Sequence, residues 1–208
     1  MKRIFGKLKM SWWAVILFAI VTGIYTGVVM LIDSLANTSF QDIGISYEWW
    51  VIFAVIIVVN CNKNWEAMLK CFVFFLISQP LVFAVEVILG PLTVDMAMYY
   101  YRSIWLPMTI LTLPGGLIAY YCKKQNTVGA IILGLGNSIQ AVLGVHYFLE
   151  TIRSFPHHLL SCIVCFGSIL LMSTQIQIEK KHRLISILIP AVITVMIVVF
   201  VKVSGRVL

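Results

Sequence analysis

Charge is what this chain has least of. Only 11% of its 208 residues are Asp, Glu, Lys or Arg, and just eight of them are acidic. A water-soluble domain carries about a quarter charged residues, so this supply could not clothe a globular surface. Catalytic signatures are missing as well: no H-E-x-x-H, no G-x-S-x-G elbow, no phosphate loop and no dinucleotide fingerprint. The stretch "GLGNS" at 134–138 lacks the third glycine of such a fingerprint and reads as helix packing. With no nucleotide motif, any use of ATP falls to another chain.

Cysteine and histidine are sparse and badly placed for chemistry. The Cys162-x-x-Cys165 pair has no second pair on its side to relay electrons, since Cys61, Cys71 and Cys122 fall at the other side. It reads as packing. His146, His157 and His158 lie near Glu86 and Glu150 in depth, but adjacent histidines do not readily ligate one metal. No metal and no cofactor are expected.

What is there is hydrophobic: 61% of the chain. A helix needs about 20 apolar residues to cross the hydrocarbon core, which leaves room for six or seven spans and little else. We expect a single all-α integral membrane domain over 1–208, with helices at about 11–32, 44–60, 69–89, 103–122, 127–149, 159–178 and 184–201. The second run is the shortest and could instead re-enter. The first run is too long for the core of a cleavable signal and reads as a helix that also directs insertion.

The net charge of +7 does not point to nucleic acid, because the basic residues are split into short clusters between apolar runs. With the N-terminus inside, eleven of the fifteen Lys and Arg residues fall on the inner side; Arg102, Arg153, Lys202 and Arg206 fall outside. That bias predicts an inner N-terminus and an outer C-terminus. Trp12, Trp13, Trp65, Tyr120 and Tyr121 then mark the inner interface, and Trp49, Trp50, Tyr99, Tyr100, Tyr101 and Trp105 the outer one. The expected location is the cell membrane, multi-pass.

The third run contains "SQPLVFAVEV", residues 78–87. At 1.5 Å per residue Gln79 and Pro80 sit near the midplane and Glu86 in the outer third. Pro80 removes a backbone hydrogen bond, and Gln79 needs polar partners in lipid. Pro114 and Gly115 of "LPGG", and Asn137 and Gln140 of "GLGNSIQ", reach a similar depth. Broken helices meeting at the midplane mark many transporter sites, so Gln79, Pro80, Glu86, Pro114, Gly115, Asn137 and Gln140 form the candidate ligand-binding set. The same residues could be plain glue between helices. Glu86 could pair with Arg102, meet a cation or a substrate amine, or face an outer vestibule. Ala19-x-x-x-Gly23-x-x-x-Gly27 is a small-residue stripe for helix packing or for docking a partner.

The stretches "LKCFVFFLISQPLVFAVEV", 69–87, and "SFQDIGISYEWWVIFAVIIVVN", 39–60, resemble a group of small polytopic membrane proteins from Gram-positive bacteria with no known activity. The resemblance implies a bacterial source and no functional residues. The stripe Ala19, Gly23 and Gly27, with the chain's size, is also similar to the substrate-binding subunits of energy-coupling-factor transporters. That likeness implies docking on a partner subunit, although a seventh helix and an outer C-terminus depart from it.

Three functions stay open. The leading one is transport of a small solute or ion, or service as the membrane subunit of a transporter. The second is a non-transporting interaction subunit (assembly, immunity or receptor-like) working through a protein partner or a second copy. The third is an intramembrane enzyme acting on lipid or peptide through Glu86, His146, His157 and His158. The lipid bilayer is a partner in all three, and nucleic acid in none.

Overall fold

The computed structural model describes residues 8–45 and 47–203. Lys2, Arg3, Lys7 and Arg206, counted above for orientation, lie outside these residues. The chain is all-α. Six helical runs are long and apolar enough to cross a membrane: Trp12–Met30, Asn64–Leu89, Val94–Lys123, Thr127–Arg153, Leu159–Ile176 and Lys180–Phe200.

In chain order the α-helices are α1 (Trp12–Met30), α2 (Ser39–Ile45), α3 (Tyr47–Val59), α4 (Asn64–Leu89), α5 (Val94–Tyr100), α6 (Leu106–Ala119), α7 (Thr127–Arg153), α8 (Leu159–Ile176) and α9 (Lys180–Val203). One π-helical stretch, Tyr101–Trp105, joins α5 to α6. Polar side chains set the starts. The Ser11 hydroxyl accepts from the Ala14 amide at 3.2 Å and opens α1. The Asn126 side chain accepts from the Gly129 amide at 2.8 Å and opens α7. Each satisfies an amide that the first helical turn leaves orphaned.

The long helices fall into two groups, α1–α4–α6 and α7–α8–α9, with α4 and α7 as their central members. A glycine sits at each of the four main contacts. A Cβ on Gly23 would lie 2.7 Å from the Ser78 carbonyl of α4, and one on Gly27 would lie 2.7 Å from Val85. Gly116 of α6 backs on Ala67 and Met68 of α4. Gly134 and Gly144 of α7 face Ile189 of α9 and Cys165 of α8. Lipid gives apolar helices no hydrophobic reason to associate, so close backbone approach does that work.

Between the groups lies α3, touching α4, α6, α7 and α8. Its thirteen residues extend only about 20 Å, short of the ~30 Å core. Even so, the segment from Asn37 to Asn60 runs from one end of the bundle to the other. The Asn37 carbonyl meets His157 at one end, and the Asn60 side chain accepts from the Leu8 amide at the other. The crossing expected as a helix over 44–60 thus takes in α2 as well as α3. Trp50, Ile57 and Val58 of α3 are buried, and Trp50 and Phe53 pack with Phe18, Phe74 and Phe75.

The segments assigned to the inner side gather at one end of the bundle. There Lys123 donates to the Cys61 carbonyl, Tyr120 Oη to the Asn62 carbonyl at 2.5 Å, and Gln177 to the Cys122 carbonyl at 2.6 Å. We refer to this as the basic end.

Candidate functional site

The expected breaks at proline do not occur. Helix α4 runs unbroken through Pro80, and α6 through Pro114. One lost hydrogen bond does not end a membrane helix whose other backbone groups have no better partner in lipid. Buried charge lies elsewhere, on α2 and at the start of α3, in a stretch that reads in sequence as a polar loop.

Two carboxylates lie there. Asp42 on α2 and Glu48 at the start of α3 are both buried, Glu48 with no measurable exposure. Asp42 Oδ2 accepts from Ser161 Oγ at 2.6 Å and lies 2.8 Å from His158 Nδ1. The Ser39 hydroxyl accepts from the Ser161 amide at 3.2 Å. His158 caps α8 at φ 61°, the left-handed region that a side chain occupies only when its surroundings hold it. Here the Asp42 contact and a stack against the Tyr147 ring, 5.5 Å between centroids, do so. Both carboxylates also lie near enough to Cys165 of α8 to interact with it electrostatically.

Side-chain amides approach the same segment from the two helix groups. Gln140 of α7 donates to the Glu48 carbonyl at 2.8 Å. One turn earlier, Asn137 donates to Ser173 Oγ at 3.0 Å and to the Ser186 carbonyl at 3.3 Å, tying α7 to α8 and α9. From the other side, Gln79 lies one turn beyond Phe75, which packs on Trp50, and is 2% exposed. Several buried polar atoms here have no hydrogen-bond partner: Thr26 Oγ1, Ser78 Oγ, Gln79 Nε2 and Thr109 Oγ1 in one group, Asn137 Oδ1 and Gln140 Oε1 in the other. Such atoms in a dry interior each cost about 1–3 kcal/mol, so their gathering at one depth needs a reason.

The remaining sequence candidates do not join this cluster. Pro80 is half-buried, and Pro114 and Gly115 are exposed on the outer face of α6, with nothing within 4 Å of a Cβ on Gly115. Glu86 is half-buried further along α4, and no ion pair joins it to Arg102, which is exposed. Ala19, Gly23 and Gly27 are all buried, the two glycines against α4. That face is thus already covered from within the chain. His146 and His157 are exposed, and His157 meets the Asn37 carbonyl at 3.1 Å. Among the described residues no three His, Cys, Asp or Glu side chains are placed to hold a metal ion.

Sequence reasoning missed Asp42, Glu48, Ser39 and Ser161. The available signal was the spacing of two acids around Gly44 within "SFQDIGISYEWW", a stretch flanked by aliphatic and aromatic residues. No protein-family model, curated protein or solved structure matches the chain. The resemblances drawn from residues 39–60 and 69–87, and from the small-residue stripe, gain no support from these comparisons. The chain is a multi-pass helical membrane protein.

Proposed function

We propose that this protein moves a small solute or ion across a membrane, alone or as the membrane subunit of a transporter, along the buried polar groups of α2 and α3. The observation that carries the reading is a crossing segment, Asn37 to Asn60, that holds two buried carboxylates, Asp42 and Glu48, inside the bundle. A charge in a membrane interior costs about 2.5–3.5 kcal/mol on insertion scales and marks ion or substrate paths. Glu48, whose backbone carbonyl Gln140 meets, and the unpaired amide oxygens of Asn137 and Gln140 favour a cation or an amine-bearing solute. With the N-terminus inside, Asp42 and His158 lie toward the outer mouth, and Glu48, Gln79 and Gln140 lie deeper.

The test is binding and flux with the purified protein in liposomes. Gln79→Leu with Asn137→Leu, and separately Glu48→Gln, are expected to abolish solute binding while the protein stays folded. Full binding in both would sink the proposal. A non-transporting interaction subunit would need another docking face, because α4 occupies the Gly23 and Gly27 stripe.

A further inference from the structure

A second feature lies at the basic end, away from Asp42 and Glu48. A concavity of about 620 Å³ opens there, bounded by residues 8–12, residues 59–62, and the side chains of Glu66, Lys70 and Lys123. That volume falls in the range of small-molecule sites. Three of its lining residues, Lys9, Lys70 and Lys123, are cationic, and Glu66 is the one acid. Glu66 is already engaged: one oxygen takes Lys70 Nζ at 2.5 Å, and the other accepts from the Asn62 amide at 2.9 Å. The wall keeps a formal excess of two positive charges.

Two of the cations, Lys70 and Lys123, are fixed in place. Lys70 is 3% exposed, donates to the Met10 carbonyl as well as to Glu66, and lies 5.5 Å from the Trp12 ring centroid. Lys123 donates to the Cys61 carbonyl and sits 3.9 Å over the Tyr120 ring. An ammonium has three donors, so each keeps at least one for a ligand, and their positions cost little further entropy. Helix α1 also begins at this wall, with Ser11 and Trp12 lining it, so the positive end of its dipole adds to the field. Burial and the Glu66 charge push the Cys61 thiol up to about 11. It stays neutral at physiological pH and adds no negative charge against an anion.

We propose that this concavity binds a phosphate-bearing group through Lys9, Lys70 and Lys123. Lysine binds phosphate as a point charge, and basic pockets between membrane helices take up anionic headgroups. Trp12 and Trp65, both substantially exposed, stand where a headgroup layer would meet the wall. The phosphate could come from a phospholipid or from a free anion, and the experiment separates them.

The full chain is reconstituted in phosphatidylcholine nanodiscs, then with phosphatidylglycerol added, and separately with inorganic phosphate. Melting is followed by tryptophan fluorescence. The expected result is a rise of about 5 °C with one of the two phosphate sources, at least halved in Lys123→Gln and in Lys9→Gln. It should be intact in Lys181→Gln, which is exposed at the same end outside the concavity. A rise with phosphatidylglycerol alone assigns a lipid headgroup; a rise with inorganic phosphate assigns a soluble phosphate. Lys9 is exposed and makes no side-chain bond to the rest of the described residues, so Lys9→Gln keeps the test valid should Lys123→Gln fail to fold. No rise with either source overturns the proposal, as does an equal loss in Lys181→Gln.

Discussion

The two helix groups that flank α3 are held together by different means. In α7–α8–α9, side-chain hydrogen bonds cross between helices: Asn137 reaches Ser173 and the Ser186 carbonyl. In α1–α4–α6 the contacts are glycine against backbone and aromatic against aromatic, while Thr26, Ser78, Gln79 and Thr109 keep buried polar atoms without partners. In α7–α8–α9 an amide spends its donor on cohesion and keeps its oxygen, whereas α1–α4–α6 coheres without its polar side chains and leaves them available. Polar residues in a membrane interior are therefore not equivalent evidence. Those already bonded between helices account for themselves, and those left over point to something that arrives.

Substitutions can break this contrast. The largest expected effect is Gly23→Leu, which drives a side chain into the Ser78 carbonyl and Leu81. Overpacking of this kind costs about 3 kcal/mol or more, read as a loss of resistance to unfolding in mixed detergent. Next comes Asn137→Leu, which removes the link among α7, α8 and α9 for about 1 kcal/mol. Equilibrium unfolding should show that loss, and an unchanged midpoint would deny that the amide stitches the group. Gln79→Leu is expected to leave stability within about 0.5 kcal/mol or to raise it, since a partnerless buried donor is removed. Solute binding should fall all the same, so calorimetry and binding on one variant separate cohesion from site. Smallest of all is Gly115→Ala: its Cβ meets nothing, and better helix propensity should stabilise α6 by up to about 1 kcal/mol. A clear loss of stability there would place an unsuspected contact on that face.

The long helices were legible because membrane crossing writes itself into local composition. The basic end was legible from Lys and Trp for the same reason, and the small-residue stripe announced close packing of α1. The polar half of the second crossing was not. Asp42 and Glu48 lower the apolarity of 39–50, so any local window reads a loop. Their burial depends on Ser161, His158 and Gln140, roughly a hundred residues away. Depth measured along a helix also omits direction: Pro114 and Gly115 reach the right level but face outward, and Glu86 and Arg102 share a level without meeting. Gln79, Asn137 and Gln140 stand out in the sequence because amides in lipid are conspicuous wherever they point, and all three are buried.

The acids of the second crossing bear on how the chain is made. A segment that carries Asp42 and Glu48 among its apolar residues is a poor one to hand to lipid unaided. Its partners Gln140 and Ser161 are synthesised 92 and 119 residues after Glu48 and Asp42. The second crossing is thus expected to stay near the insertion machinery, unsettled, until α7 and α8 emerge. In nascent chains halted before α7, a cysteine placed at Ile57 should react with a water-soluble maleimide, and in the finished protein it should be silent. Early protection would mean that α3 settles against α4 alone, and that the later helices close around a crossing already in place.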